Sequence, residues 1–397
     1  MKKTLLAAAL MAGFAGVAQA ETSVTLYGIL DGGIGYEQQK GKASYLSNRD
    51  GVADVKSTRT GLIHGVQFGN RWGLKGTEDL GNGLRGVFVL ESGFNLDTGN
   101  SAQGGRLFGR QATLGLASDS WGQIDFGRQT NIASKYLPGV VSPFGASFGQ
   151  ANAGAVFSAA NTARYDNSIM YQTPNFSGFQ FGIGYSFNVN GTQASKWDQD
   201  GALVDGLERN TRAFTTGLRY SSGPIAAALT YDTFTTPETR ARVNGPVNGD
   251  INVHAWALGA SYDFEVVKVY LGGGQTRNGM FARQGYNGDE AFTQSNAFGS
   301  FRAYDGMRIN SYTVGLSAPV GNGTLMASWM MADPNKKPTA LESDAFTMEK
   351  QNTYSLGYTY GLSKRTSMYA FGSYADNVDF LPEGKSTVVG VGVVHKF

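Results

Sequence analysis

The sequence predicts an all-β protein, a sixteen-stranded antiparallel β-barrel that spans a membrane. Three observations predict this class: an amino-terminal export segment, a repeated alternation of apolar with small or polar residues, and a last strand that ends in an aromatic ring. The chain has no run of eighteen apolar residues, so a transmembrane helix is not expected. A closed barrel is the other structure that can pair all its backbone groups within a bilayer.

The amino terminus has the pattern of a signal peptide over residues 1–20. Lys2 and Lys3 give a positive start, an apolar run extends from Leu5 to Val17, and Ala18-Gln19-Ala20 is a small-x-small cleavage site. The run of about thirteen residues is shorter than the roughly twenty that a membrane-spanning helix needs. We therefore expect export across the inner membrane, removal of residues 1–20, and one barrel domain over residues 21–397.

The composition agrees with a membrane barrel. There are 56 Gly, 24 Phe and 19 Tyr against 10 Pro, which suits short strands, tight turns and aromatic girdles. Cysteine is absent, so neither disulfides nor a thiolate metal site can form. Without Lys2 and Lys3, 31 basic and 31 acidic side chains remain, so any charge selectivity must come from their placement.

Strict alternation marks the strands. The clearest example is the segment 179–187, whose one face is aromatic or aliphatic and whose other face is glycine or polar; the apolar positions are Phe179, Phe181, Ile183, Tyr185 and Phe187. The segments 256–264 and 354–362 repeat the pattern. An outward aromatic face backed by a small or polar face is typical of a barrel in lipid.

The spacing of turns and loops gives the number of strands. Seven short turns are predicted near 79–83, 119–122, 174–178, 221–224, 264–266, 319–323 and 361–364. Eight longer connections are predicted near 38–57, 96–105, 131–162, 189–210, 235–250, 278–307, 333–350 and 376–385. Together they connect sixteen strands, and a barrel of that size encloses a water-filled channel.

The carboxyl terminus predicts how the barrel closes. Residues 387–397 alternate, with Val389, Val391 and Val393 on the same face as the terminal Phe397. A free apolar edge would invite pairing with other chains in a soluble protein. We expect the last strand to pair with the first.

Four segments, taken in order, resemble the general diffusion porins of Gram-negative bacteria, most closely those of β-proteobacteria. They are Val24 to Gly33, Asn70 to Gly76, Gly122 to Arg128 and Val391 to Phe397. The resemblance implies a homotrimer in the outer membrane, in contact with its lipid and lipopolysaccharide. It also implies an infolded third external loop, at about residues 131–162, that narrows each barrel, and a role for Phe397 as a signal to the outer-membrane assembly machinery.

Alternation then selects candidate pore residues. Trp72 and Leu74 are predicted to face lipid, which places Arg71 and Lys75 on the inner wall. Tyr165, Ile169 and Tyr171 are likewise predicted to face outward, which places Arg164 and Asp166 inward.

Arg128 does not fit simple alternation, because it shares a face with Phe126. The resemblance nevertheless puts it at the constriction, which requires a bulge or a strand that ends at Gly127. We expect Arg71, Arg128 and Arg164 to form a basic cluster, with Lys75 lower in the lumen. The alternative is that these arginines only pair with lumenal carboxylates such as Glu91 and Asp125.

The predicted constriction loop lacks acidic residues. Between Gln129 and Ala163 there is no Asp or Glu, and the one charged residue is Lys135. The resemblance implies an acidic residue where this chain has Ser142-Pro143-Phe144-Gly145. We therefore expect a preference for small anions. The loop's neutral groups could line the pore for polar solutes or simply hold the loop to the wall; they are Ser134, Tyr136, Ser142, Ser147, Gln150 and Asn152.

The function predicted from these features is passive diffusion of small hydrophilic solutes and ions, without a cofactor, a metal or catalysis. A substrate-specific channel for a small anion or a sugar is the main alternative, and a surface enzyme or a non-conducting barrel are others. His64, His254 and His395 lie far apart, which disfavours a metal site or Ser-His catalysis. The glycine pattern at 81–86 enters a strand from a turn and has no helix for a phosphate, so no nucleotide or nucleic-acid partner is expected.

Overall fold

A computed structural model describes residues 23–41, 55–193, 210–236, 250–282, 301–339 and 347–397 of the 397-residue chain. The predicted signal peptide, residues 1–20, lies outside the described residues.

The described chain is built almost entirely of strands. They are β1 Ser23–Gly41, β2 Val55–His64, β3 Arg71–Gly81, β4 Leu84–Gly93, β5 Gln111–Ser118, β6 Gly122–Thr130, β7 Arg164–Gln172, β8 Phe179–Ser186, β9 Arg212–Ser222, β10 Ile225–Thr236, β11 Ile251–Asp263, β12 Lys268–Met280, β13 Arg302–Val320, β14 Gly323–Lys336, β15 Gln351–Gly361, β16 Thr366–Asp376 and β17 Lys385–Lys396. Short helices are α1 Ala102–Gly105, α2 Ile132–Tyr136 and α3 Pro138–Val141, with 3₁₀ turns at Gly149–Ala151, Ala153–Ala155, Ser158–Ala160 and Val378–Phe380. None of the described helices is long and apolar enough to cross a membrane.

Each strand pairs antiparallel with its neighbour, and β17 pairs with β1 over the registers Ile29 with Lys396 to Lys40 with Lys385. The upper part of β1 pairs with β2 and its lower part pairs with β3. Because β2 and β3 are therefore two parts of one strand, the closed barrel has sixteen strands, as the sequence predicted. The seven short turns fall where they were predicted. Of the eight longer connections, those near 96–105, 131–162 and 376–385 lie within the described residues and between the expected strands, whereas the other five extend beyond the described residues.

A break in the second strand, between β2 and β3, was not predicted. The buried carboxylate of Asp31 accepts hydrogen bonds of 2.7 Å from the backbone N–H groups of Gln67 and Phe68 within the break. Tyr369 Oη donates a further hydrogen bond of 2.8 Å to Asp31. These donors replace the water that a buried carboxylate loses. The hydrogen bonds to Asp31 therefore stabilise the break between β2 and β3.

The outer surface is apolar, as the alternation predicted. Large side chains are exposed at Phe179, Phe181, Tyr185 and Phe187 on one side of the barrel, and at Val389, Val391 and Val393 on β17. Short turns mark the periplasmic end and long loops the external end. The outer side chains therefore form the band that meets lipid.

The barrel closes at Gly28 and Phe397. Their backbones exchange two hydrogen bonds of 3.1 Å. A Cβ atom at position 28 would lie 2.2 Å from the Phe397 ring, so only glycine leaves room for the ring at this point.

The connection between β6 and β7, residues 131–163, is called the third loop below. It packs against the inner face of the barrel, where glycines make room for it. A Cβ atom at Gly259 would lie 2.1 Å from Val141, and one at Gly315 would lie 2.5 Å from Pro143. The Ile132 N–H donates to Thr215 Oγ1 at 2.9 Å at the start of the loop, and the Phe148 N–H donates to the carbonyl of Val66 at 2.6 Å near its middle. The third loop thus covers the inner wall from β8 round to β16.

Candidate functional site

Five arginines gather on the inner wall formed by β3 to β7, the part that the third loop leaves uncovered. We call this set the arginine wall; it comprises Arg71, Arg106, Arg110, Arg128 and Arg164. Arg71 and Arg164 begin β3 and β7, and Arg128 lies near the end of β6. Arg106 and Arg110 lie between α1 and β5.

Glu91 on β4 is the first of two carboxylates within this wall. Its Oε1 accepts a hydrogen bond of 2.7 Å from Arg110 Nε, and its Oε2 lies 3.8 Å from Arg71 Nη1. Tyr27 Oη donates to the same Oε2 at 3.0 Å. The charge-assisted hydrogen bond fixes the Arg110 guanidinium. That of Arg71 forms a longer ion pair with Glu91 and donates from Nε to the carbonyl of Gly69 at 2.9 Å.

Asp166 on β7 is the second carboxylate. Arg106 Nη1 lies 2.8 Å from both of its oxygens, and Arg128 Nη1 donates to Oδ1. Arg128 reaches this position because the register between β6 and β7 shifts between Gly127 and Gln129, where Gly127 has a φ of +119°. Arg128 therefore points inward because of a bulge in β6. A bulge was one of the two arrangements that the sequence required for an inward Arg128, the other being a strand that ends at Gly127.

Arg164 is held differently from the other four. Its Nε donates to the carbonyl of Arg110 at 3.1 Å, and its Nη1 lies 3.4 Å from the carbonyl of Thr162. Among the described residues it forms no direct ion pair, although it interacts electrostatically with the neighbouring arginines. Five guanidinium groups thus face two carboxylates, and the wall carries an excess of positive charge.

Lys75 and Asp125 lie on the inner wall outside these contacts. Lys75 is four residues below Arg71 on β3, about 13 Å along the strand, with its Nζ 5.6 Å from the centroid of Tyr27. The oxygens of Asp125 each lie 2.9 Å from Gln123 Nε2. Among the described residues Glu91 therefore pairs with arginines, whereas Asp125 forms no ion pair with an arginine and is bound by a neighbour on its own strand.

The third loop brings one charge to the lumen. Lys135 Nζ donates to Gln129 Oε1 at 2.8 Å and lies 3.2 Å from Met170 Sδ. Burial lowers the pKa of Lys135 to about 8, and the carboxylate of Asp125 opposes that shift. Lys135 is therefore the group on this loop whose charge changes near neutral pH.

The chain's similarity to known proteins identifies its family. The model of the Gram-negative porin family matches residues 7–379. The chain is a Gram-negative porin. An outer membrane porin of Bordetella pertussis is 56% identical over 402 residues and covers 100% of both chains. Outer membrane porin protein 32 of Delftia acidovorans is 31% identical, covering 96% of this chain and 91% of the relative.

Solved structures agree with this membership. An anion-selective porin from Comamonas acidovorans superposes with a TM-score of 0.65 at 27% identity, covering 95% of this porin and 100% of that chain. OmpF of Salmonella typhi shares the fold, with a TM-score of 0.60 at 16% identity. The chain is thus an outer-membrane channel protein of a Gram-negative bacterium.

Three predicted loop residues of the porin pack on the barrel wall. Tyr136 is buried, with its ring 4.7 Å from the guanidinium of Arg219. Pro143 packs over Gly315, and Phe144 packs over Gly357 with its ring 5.6 Å from that of Phe148. These three side chains hold the third loop in place.

The neutral polar groups of the loop follow the same pattern. Ser134 Oγ donates to the carbonyl of Ala159 at 3.2 Å, and Ser142 Oγ accepts from the Phe144 N–H at 3.2 Å. Asn152 Oδ1 accepts from the Gly154 N–H at 2.7 Å. For these residues the hydrogen bonds favour a role in stabilising the loop over a role in lining the pore for polar solutes.

The predicted outward orientation of Tyr165 is wrong. Tyr165 is buried inside the porin, where its Oη donates to Asp232 Oδ1 at 3.2 Å and its ring lies 5.7 Å from that of Phe301. Asn167, two residues later, has a φ of +50°, so the alternation that fits Ile169 does not continue through it to Tyr165.

Sequence reasoning missed Arg106 and Arg110. Neither lies on a strand, so alternation gave no face for them. The available signal was their spacing, two arginines four residues apart immediately before β5. The described residues contain no group of three or more His, Cys, Asp or Glu able to hold a metal ion.

Proposed function

We propose that this porin passes small hydrophilic solutes and ions by diffusion and favours small anions, because the arginine wall faces an uncharged part of the third loop. The observation that carries the proposal is the imbalance of five arginines against two carboxylates, Glu91 and Asp166, on one stretch of inner wall.

The size of the effect follows from the position of the charges. Two unit charges 4 Å apart interact by about 4 kcal/mol near a protein surface and about 1 kcal/mol in bulk water. A fixed positive wall therefore concentrates anions in the narrow part of the channel and repels cations, by an amount that salt reduces. The likeness to an anion-selective porin from Comamonas acidovorans supports this sign of selectivity.

The residues take three roles in this proposal. The arginine wall attracts the anion, and Glu91 and Asp166 orient the guanidinium groups. Lys75 and Asp125 lie lower in the lumen, and Lys135 adds a charge from the loop. The loop itself narrows the channel and is held by Tyr136, Pro143 and Phe144.

The assembled protein is proposed to be a homotrimer surrounded by outer-membrane lipid and lipopolysaccharide. The exposed ring of Phe397 at the barrel seam is proposed to engage the outer-membrane assembly machinery after residues 1–20 have been removed. No covalent step is part of the proposed activity.

The proposal is tested by the zero-current potential of the purified protein in a planar bilayer under a potassium chloride gradient. A potential of anion sign is expected. The alternative of a substrate-specific channel would give a conductance that saturates with the concentration of its solute, whereas a diffusion channel conducts in proportion to it.

A further inference from the structure

A buried carboxylate on β10 lies behind the third loop, away from the arginine wall. Asp232 is fully buried, and it shares the inner face of β10 with the buried Thr230 and Phe234. Within the described residues its carboxylate meets neutral hydrogen-bond donors and forms no ion pair. A buried carboxylate without a cation depends on such donors, so the side chains that supply them are held firmly.

The first donor to Asp232 comes from the residue that begins the third loop. Asn131 Nδ2 donates to Asp232 Oδ1 at 2.7 Å, and both side chains are fully buried. Asn131 also caps α2, because its Oδ1 accepts a hydrogen bond of 3.3 Å from the Ser134 N–H. The carboxylate therefore holds the amide group that shapes the first turn of the loop.

The second donor comes from just beyond the other end of the loop. Tyr165 follows the last loop residue, at position 163, by two positions, and its Oη donates to the same Asp232 Oδ1 at 3.2 Å. The Tyr165 ring is packed 5.7 Å from that of Phe301. The Asn131 N–H also donates to the carbonyl of Ala163 at 3.0 Å, which joins the two ends directly. One carboxylate oxygen thus binds both ends of the third loop.

Further hydrogen bonds extend this network into the wall and into the returning arm of the loop. The Ile132 N–H donates to Thr215 Oγ1 at 2.9 Å, and the Thr215 side chain also interacts with Asp232. Asn131 Nδ2 donates at 2.8 Å to the carbonyl of Ala159, on the arm that returns to β7. Buried hydrogen bonds that share partners strengthen one another, so the loss of Asp232 should loosen the whole network.

The barrel wall limits the direction in which a loosened loop can move. Cβ atoms added at Gly182 on β8 and Gly217 on β9 would lie 2.5 Å and 2.9 Å from Ile132. The first turn of the loop is therefore already in close contact with the wall behind it. A loop released from Asp232 can move only toward the lumen, where it obstructs the channel.

We propose that Asp232 is a positioning residue that keeps the channel open, because its carboxylate holds both ends of the third loop against the wall. Asp232 is buried behind the loop, so it acts on the passing solutes only through the position of the loop. The inference rests on the proposed diffusion function, in which the third loop narrows the channel. It does not depend on the anion preference of the arginine wall.

The test combines single-channel recording of the purified porin in planar bilayers with hydrogen exchange of its third-loop amides. Asp232→Leu keeps a side chain of similar size but removes the acceptor oxygens. Amides of residues 131–141 should exchange about tenfold to a hundredfold faster than in wild type, the range expected when a hydrogen bond to a charged group is lost. Brief closures of the channel should become more frequent by at least about tenfold for the same reason.

Three further variants separate the hydrogen bonds from general packing. Asp232→Asn retains one acceptor oxygen and replaces Oδ2, which has no hydrogen-bond partner among the described residues, so it should behave like wild type. Thr313→Val removes a buried hydroxyl of the same inner wall that likewise lacks a partner in the described chain, and it should also behave like wild type. Tyr165→Phe removes one of the two bonds to Oδ1 and should give intermediate rates of closure and exchange.

The proposal is overturned if Asp232→Leu closes and exchanges at wild-type rates, or if Thr313→Val changes both rates as much. Asp232→Asn that behaves like Asp232→Leu would overturn the role of Asp232 as a hydrogen-bond acceptor. Should Asp232→Leu fail to fold, wild-type rates in Tyr165→Phe would overturn the proposal independently. A wild-type channel without anion preference, or without conductance, would contradict the proposed function, whereas the exchange rates would still decide the role of Asp232.

Discussion

Arg110 donates a hydrogen bond of 2.7 Å from its Nε to Oε1 of Glu91. This contact ties the segment before β5 to β4, and Arg71 lies 3.8 Å from the same carboxylate. Glu91 therefore lowers the positive charge of the arginine wall while it holds two of its members.

Replacing Glu91 should strengthen anion preference. Glu91→Gln keeps a hydrogen-bond acceptor but removes one negative charge from the wall. A unit charge at about 8 Å in water changes an ion's energy by roughly 0.5 kcal/mol, with opposite sign for an anion and a cation, so the anion-to-cation permeability ratio should rise about fivefold at low salt. The zero-current potential of the variant in a planar bilayer measures this. Asp119→Asn, at an exposed periplasmic turn, is the control and should change the ratio little.

Replacing Arg164 should have the opposite effect. Among the residues that the structure describes, its guanidinium donates hydrogen bonds only to carbonyl oxygens, so Arg164→Gln removes a charge that no direct ion pair within them offsets. The anion-to-cation permeability ratio should fall by about a factor of five at low salt, as for one unit charge at about 8 Å in water. Arg85→Gln removes a charge that is paired with Asp119 at the rim, and it serves as the matched control. An unchanged potential for Arg164→Gln would remove this residue from the selective wall.

Anion preference should fall as the pH rises from 7 to 9. Burial lowers the pKa of Lys135 to about 8, so its ammonium loses its proton within this range. The arginines remain charged throughout. Zero-current potentials recorded across the range should decline for wild type and stay level for Lys135→Met. The same decline in the variant would assign the pH dependence to another group.

Filling the glycine sites under the third loop should narrow the channel. Added Cβ atoms at positions 259 and 315 would lie 2.1 Å from Val141 and 2.5 Å from Pro143. G259A/G315A should push the loop toward the lumen, at a cost of about 1–3 kcal/mol per site, and single-channel conductance should decrease. G86A adds a Cβ that meets nothing closer than 3.8 Å and should conduct like wild type. Equal conductance for G259A/G315A and wild type would mean that the loop does not limit the channel.

The barrel could be predicted from the sequence because its strands follow a strict rule. Alternation of outward aromatic residues, as over 179–187, arises from contact with lipid on one side and water on the other. Turn residues then set the strand count. The rule failed at Asn167, where a positive φ interrupts the strand and lets Tyr165 turn inward.

The candidate site could be predicted only in part. Arg71 lies on a regular strand, so alternation placed it. The assignment of Arg164 rested on an outward Tyr165, which the positive φ at Asn167 removes, and Arg128 needed the resemblance because a bulge at Gly127 changes its face. Arg106 and Arg110 reach the wall from a loop, whose course no periodicity describes. The ion pair between Asp166 and Arg106 could not be predicted from the sequence for the same reason.

The most direct test of the account is the zero-current potential of the purified wild-type protein in a planar bilayer under a tenfold potassium chloride gradient. Anion sign is predicted, because five arginines outnumber two carboxylates on the uncovered wall and the third loop carries no acid. A potential of cation sign would contradict the account, since it would mean that carboxylates elsewhere in the channel dominate the selection of ions.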